Sequence, residues 1–307
     1  MAEDNLIYAV DVASSPEELP ALSELLSALD FPVTSISSYE DVDRNTGVTT
    51  VLCDNPQEQS AAQRRIAAVL PQWQQDGLLG DSVSMAGLRS IRREDWAESW
   101  KKYFHPFRAS RRIVIKPSWE EFTADAGDIL LEIDPGMCFG TGSHGTTMGC
   151  LQLLDGLADE FAAEGRLSTA SLVDAGCGSG ILSMAARRLG FGGRVTAFDF
   201  DPDAVAVSRE NLARAGISDV ALQLGDVKTL KPAEQSDVVV ANILAHILLE
   251  AKENLLSMVR PGGILMLSGI LNSQYPDVLA AFTALGCVET QRRECGEWTS
   301  ARFAVPA

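Results

Sequence analysis

Asp174 and the glycines Gly176, Gly178 and Gly180 fall in one run, Ser171-Leu-Val-Asp-Ala-Gly-Cys-Gly-Ser-Gly, which sets a carboxylate beside a bare backbone turn. Residues 171–173 have the apolar character of a buried strand in a parallel sheet. The glycines allow a sharp turn and let a ligand approach the backbone closely. Beyond them, Ile181, Leu182, Ala185 and Leu189 share one helical face. This order predicts a ligand over the carboxyl end of a strand, at the start of a helix.

Spacing narrows the ligand. Dinucleotide loops carry G-x-G-x-x-G, which seats pyrophosphate on the helix N-terminus. Here the spacing is G-x-G-x-G, and Asp174 precedes it. A carboxylate repels phosphate and attracts a cation. S-adenosylmethionine carries a sulfonium and an ammonium and no phosphate, so it is the expected cofactor. A dinucleotide, or a glycine turn with no ligand, is the alternative.

Asp199, at the end of the next strand, can accept both ribose hydroxyls of an adenosine. Asp226, after the third strand, can accept from an adenine amino group or act only as a turn acid. Asn242, in Val-Ala-Asn-Ile-Leu, sets a side-chain amide at the end of the fourth strand, beside the expected transferable methyl. A helix-capping asparagine is its alternative reading. The loop 131–147 holds glycines and hydroxyls suited to contact with a small ligand; Thr146 or Thr147 could instead cap the helix that follows. Cys177 reads as a small residue tolerated in the turn, not a nucleophile. His144 is a possible base but reads better as structural.

The elements that must position these groups follow from periodicity. Residues 6–10, 33–40, 49–53 and 82–85 read as strands, and 19–29 and 59–70 as helices, the first opened by Ser15-Pro16. The order β-α-β-β-α-β is that of a ferredoxin-like sandwich. A linker helix is expected over 91–103, with Trp96, Trp100 and Tyr103 on one face. Residues 113–117 and 128–133 are expected to form a β-hairpin. From 171 onward strands (194–198, 220–224, 237–241, 263–268) alternate with helices (202–215, 245–259), which means a parallel sheet covered on both faces. The strand at 263 is expected to start after a Pro261-Gly-Gly turn. A terminal hairpin, 287–294 with 299–305, adds an antiparallel edge.

A length of 307 residues suits two domains. A net charge of −17 argues against sequence-independent binding to nucleic acid, which depends on lysine and arginine. It favours a basic protein partner, or simply solubility. Six scattered cysteines without a C-x-x-C pair, and three histidines without ligand spacing, predict no metal site and a reducing compartment. No apolar run is long enough for a membrane span, and Met1-Ala-Glu-Asp-Asn lacks a signal peptide's basic start. A cytoplasmic location is expected.

Asp134-Pro-Gly-x-x-Phe139-Gly-Thr-Gly-Ser-His144-x-Thr-Thr147, followed by Asp174-x-Gly-Cys-Gly-Ser-Gly-Ile-Leu and Val-Ala-Asn242-Ile-Leu, resembles the PrmA family of bacterial methyltransferases that act on ribosomal protein L-11. Trp96-Ala-x-x-Trp100-Lys, Pro117-x-Trp119 and Leu267-Ser-Gly-Ile-Leu271 are also similar to that family. Many amino-group methyltransferases carry Asn-Pro-Pro-aromatic where this chain has Asn242-Ile-Leu. The family usually has Thr-His-Pro-Thr-Thr; Gly145 replaces that proline here, and a loosened loop is expected from the change.

The resemblance implies an α/β chain: a Rossmann-like seven-stranded class I methyltransferase domain preceded by a small ferredoxin-like α+β domain. It implies substrate recognition by residues 1–89, a linker helix and hairpin start over 90–117, and an S-adenosylmethionine-dependent methyltransferase domain over 118–307. Thr147, Gly176, Asp199 and Asn242 would bind S-adenosyl-L-methionine, with Asp174, Gly178, Gly180 and Phe139 lining the pocket. Lysine side chains and an N-terminal α-amine of ribosomal protein L-11 would be methylated by a monomer that contacts neither nucleic acid nor membrane. Other readings are a methyltransferase for a different protein, a small-molecule amine or a nucleic acid, a nicotinamide-dependent oxidoreductase, and a binder that keeps the fold without turnover.

Overall fold

The computed structural model describes residues 6–27, 29, 35–41, 46–92, 104–134, 144–231 and 234–306. The chain divides into two units, Met1–Phe104 and His105–Ala307.

In the first unit, strand β1 (Leu6–Ser14) leads through a short 3-10 turn into helix α1 (Leu19–Ser27). Strands β2 (Ser35–Asp41) and β3 (Thr46–Cys53) precede helix α2 (Pro56–Gln75), and strand β4 (Ser84–Arg92) closes the unit. The start of α2 is written in its residues. Asn55 accepts from Glu58 N at 2.9 Å, Glu58 reaches back to Asp54 N at 3.1 Å, and Pro56 occupies the first turn. The sheet order is β2-β3-β1-β4, antiparallel throughout. Alternation along β1 sends Val10 and Val12 to the helices, where they meet Leu22, Leu26 and Ile66. This is a ferredoxin-like sandwich.

The second unit opens with β5 (Phe107–Arg108), β6 (Ile113–Lys116) and β7 (Ile129–Glu132), a small separate sheet. Helix α3 (Gly145–Ala163) and strand β8 (Leu172–Ala175) follow. Then come α4 (Ile181–Leu189), β9 (Val195–Asp199), α5 (Pro202–Arg214), β10 (Val220–Leu224), β11 (Ser236–Asn242), α6 (Ala245–Met258), β12 (Val259–Leu271), α7 (Tyr275–Ala284), β13 (Val288–Cys295) and β14 (Trp298–Ala304). The large sheet has the order β10-β9-β8-β11-β12-β14-β13; β14 pairs antiparallel with both β12 and β13, and every other pair is parallel. Central strands such as β11 are buried on both faces, which explains their unbroken apolar runs. One face packs on α6 and α7 through Leu248, Leu255, Val278 and Phe282.

Three sequence expectations are corrected. Residues 113–117 and 128–133 do not form a hairpin: β6 and β7 are parallel, and the antiparallel partner of β6 is the two-residue β5. The intervening segment is long enough to carry the chain back to the same edge, which a tight turn cannot do. Asp128 ties that return down by accepting from Arg108 Nη1 at 2.7 Å. Pro261-Gly-Gly does not precede a strand; it bulges from β12, whose pairing with β11 jumps from Ser236↔Val259 to Val238↔Ile264. Strand β4 continues to Arg92, past the expected helix start, and the aromatic face at Trp96, Trp100 and Tyr103 lies outside the described residues. Helix α7 carried no sequence expectation.

Candidate active site

The glycine turn sits where β8 hands over to α4. Gly176 and Cys177 donate their N–H groups to Phe198 O at 2.9 and 3.0 Å, binding the turn to the neighbouring strand. Gly176, Gly178 and Gly180 have φ of 76, 52 and 79°, a region that disfavours any side chain. A Cβ at Gly176 would lie 2.5 Å from Ile243 Cγ2. Helix α5 supports the turn from below: Ser208 Oγ donates to Gly178 O at 2.8 Å, and Asn211 Nδ2 to Ser179 O at 2.9 Å.

Two carboxylates flank this turn. Asp199 is buried; its Oδ2 accepts from Gly178 N at 2.9 Å and its Oδ1 from Asp201 N at 3.1 Å. Each oxygen keeps a second lone pair. Asp174 is also buried, and its Oδ2 accepts from Ser183 N and Oγ at 3.1 and 2.7 Å. Its Oδ1 has no hydrogen-bond partner among the described residues. Burial pushes its pKa up to about 6, against the pull of the Ser183 bonds and with the Asp199 charge adding to the rise.

Asn242 ends β11. Its Nδ2 donates to Thr147 Oγ1 at 3.4 Å, and its Oδ1 is buried with no partner among the described residues. It is not a helix cap, because α6 is entered through Leu244. Nor does either threonine cap α3. His144 holds the N-cap position, so the fully buried Thr147 points inward from the first turn. The His144 ring meets Thr146 Oγ1 at 2.8 Å and packs at a tilt of 55° against Trp298, 4.9 Å between centroids; burial lowers its pKa.

The loop expected to loosen lies, over 135–143, outside the described residues, and Gly145 opens α3. A Cβ there would lie 2.6 Å from Cys295 O, so glycine lets the terminal hairpin pack against the helix start. Cys177 is buried against Ser208 Oγ at 3.4 Å, and burial holds its thiol far above the ordinary range, which leaves no thiolate for attack. Asp226 is exposed and accepts from Lys228 N at 2.8 Å, the geometry of a turn acid. Phe139 lies outside the described residues.

Sequence reasoning missed two groups on this rim. Phe200, directly after Asp199, is 77% exposed, and Leu224, whose strand position pairs with Asp199, is 59% exposed. The signal was present: an apolar residue between two acids, Asp199-Phe-Asp201, has no reason to face water unless something covers it.

The strand order, with a glycine turn after β8 and acids ending β8 and β9, defines the class: a Rossmann-like, class I methyltransferase. The family model described as ribosomal protein L11 methyltransferase (PrmA) matches residues 9–305, and the chain belongs to that family. It is similar to the ribosomal protein L11 methyltransferase of Geotalea uraniireducens (strain Rf4), 44% identical over 226 residues, 70% of this chain and 69% of that protein. It is 40% identical over 243 residues to the one from Pelotomaculum thermopropionicum, 79% of this chain and 74% of that protein. Among solved structures, a ribosomal protein L11 methylase from Lactobacillus delbrueckii subsp. bulgaricus is 30% identical with a TM-score of 0.57, covering 66% of this chain and 100% of that one.

Proposed function

We infer that this chain methylates ribosomal protein L11 at lysine side-chain amines and the N-terminal α-amine, with S-adenosyl-L-methionine as methyl donor. The observation that carries the assignment of the site is the buried Asn242 Oδ1, without a partner among the described residues, at the end of β11 beside the end of β8 that carries Asp174 and the glycine turn. Such an atom costs free energy until a donor meets it. An amine supplies that donor, and the second orphan, Asp174 Oδ1, fits a cationic ligand.

S-adenosylmethionine would bring an electrophilic methyl on sulfur; the chain's part is to bind and orient. Asp199 offers its free lone pairs to the ribose hydroxyls. The turn Gly176-Cys-Gly178-Ser-Gly180 brings backbone against the ligand, and Thr147 and Asn242 close the opposite side. Phe200 and Leu224 offer an apolar slot for a purine, with Asp226 at its edge. Asn242 Oδ1 accepts an N–H of the neutral amine and so aims its lone pair. Fixing that near-attack geometry is worth about 7–11 kcal/mol. His144 is held by Thr146 and Trp298, so we assign proton loss from the lysine to solvent, helped by desolvation in the site.

The small sandwich is the domain we assign to holding the substrate, and the net charge of −17 supports a basic partner over nucleic acid. No helix among the described residues is long and apolar enough to cross a membrane. We place the reaction in the cytoplasm, with the chain acting as a monomer. Mass spectrometry of purified L11 after incubation with the chain and S-adenosylmethionine tests the reading. Whole methyl increments, lost in Asn242→Ala, support it. Cofactor binding without any increment removes L11 and points to another protein or small amine.

A further inference from the structure

Asn242 and Ser268 are neighbours across the ladder between β11 and β12. Each grips one of two consecutive residues in the first turn of α3. Asn242 Nδ2 donates to Thr147 Oγ1, and Ser268 Oγ donates to the Thr146 carbonyl at 3.0 Å. Ser268 Oγ also lies 2.7 Å from Ser300 Oγ on β14. A hydroxyl has one proton and a carbonyl only accepts, so Ser268 spends its proton on Thr146 and Ser300 must donate to Ser268. All four of Thr146, Thr147, Ser268 and Ser300 are buried.

Ser300 reaches this place because α3 has no side chain at Gly149, where a Cβ would lie 2.2 Å from Ser300 Oγ. Gly145, one turn earlier on the same helix face, lies against Cys295 and Trp298 in the same way. The terminal hairpin therefore seats flush on the start of α3, and the run Ser300–Ser268–Thr146 links three elements. The Asn242–Thr147 contact of 3.4 Å is near the long limit for a hydrogen bond, so the setting of the amide depends on where that helix turn is held.

We propose that Ser268 and Ser300 are positioning residues for methyl transfer: their hydroxyl chain fixes the first turn of α3 and, through Thr147, the Asn242 amide. This rests on the role assigned to Asn242 above. Neither serine touches the reacting atoms. The clamp makes the far hairpin, which follows every cofactor motif in the chain, part of the catalytic apparatus.

The test uses the isotope-labelled full chain and follows the side-chain amide resonances of Asn242, identified by their loss in Asn242→Asp. In Ser268→Ala and Ser300→Ala these resonances shift or broaden. Methylation kcat falls about tenfold while cofactor affinity holds, the signature of lost orientation. Ser268→Cys, with a weaker donor of similar size, recovers part of the rate. In an Asn242→Ala background Ser268→Ala adds no further loss, because the two act as one unit. Unchanged Asn242 resonances, or losses that multiply fully with Asn242→Ala, overturn the proposal. If Ser268→Ala does not fold, Ser300→Ala carries the same comparison. If the wild-type chain leaves L11 unmodified, the substrate assignment falls, and the amide resonances still decide the clamp.

Discussion

Gly178 donates its backbone N–H to Asp199 Oδ2 at 2.9 Å, tying the glycine turn after β8 to the acid that ends β9. One carboxylate thus holds the turn in shape and faces the rim where a ribose would bind. Replacing Asp199 by Ala removes a carboxylate acceptor from a half-buried N–H. Cofactor affinity should fall by about 1.5–3 kcal/mol or more, read by calorimetry. Affinity equal to wild type would take Asp199 out of the site.

Asn242→Ala should lower kcat by about 100-fold or more, as loss of one preorganised polar group does elsewhere. The loss in cofactor affinity should be smaller than the loss in kcat, since the amide is assigned chiefly to the amine. Single-turnover methylation beside a binding titration separates the two. A variant with full kcat and weak binding would reverse that assignment.

Asp174 predicts a pH dependence of known sign. Its pKa is raised by burial to about 6 in the folded chain, so the stability it contributes is full at low pH and is lost as pH rises from about 4 to about 6. A cationic ligand prefers the ionised form, so cofactor binding should tighten over that interval and release protons. Asp174→Asn should flatten both trends. A wild-type binding curve that is level from pH 5 to about pH 7 would rule Asp174 out as the titrating group.

Asp155 gives the opposite sign. Burial alone would raise its pKa, but Ser110 Oγ at 2.7 Å and Arg112 N and Nε at 3.0 and 2.6 Å hold it below the usual range. Its stabilising part is present above about pH 4 and lost in acid. Asp155→Ala removes the acceptor of Ser110 Oγ and of Arg112 N and Nε, while Arg112 keeps Asp159, and should cost about 1–3 kcal/mol, seen in denaturant unfolding. A change near zero would mean the β5–β6 corner is not held through α3.

Gly176→Ala meets a left-handed φ and a Cβ contact of 2.5 Å with Ile243. The cost should be about 1–3 kcal/mol in stability, with cofactor affinity falling alongside. A neutral result in thermal melting would show that the turn relaxes freely.

The chemistry was legible wherever neighbouring residues set it. Asp174 and the three glycines lie within seven positions, and strand period and glycine spacing put them at one corner without any knowledge of the fold. Asp199 and Asn242 were legible as acid and amide ending later strands, because a parallel sheet sends all its strand ends to one rim. The N-cap position of His144 was not, because a threonine pair after a histidine fits either a cap or a pocket wall until the helix start is fixed. The supposed hairpin at 113–133 failed for a related reason: strand residues look alike whether their partner runs with them or against them.

Sequence order and residue type settled the strand–helix alternation, the glycine turn, the acids and the amide, since each depends on contacts within a few residues. The contact between Thr147 and Asn242, 95 positions apart, and the serine chain from β14 through β12 to α3 arose only when the sheet assembled. No local propensity encodes such pairings: they come from register between strands and from the space that Gly145 and Gly149 leave for a hairpin at the far end of the chain.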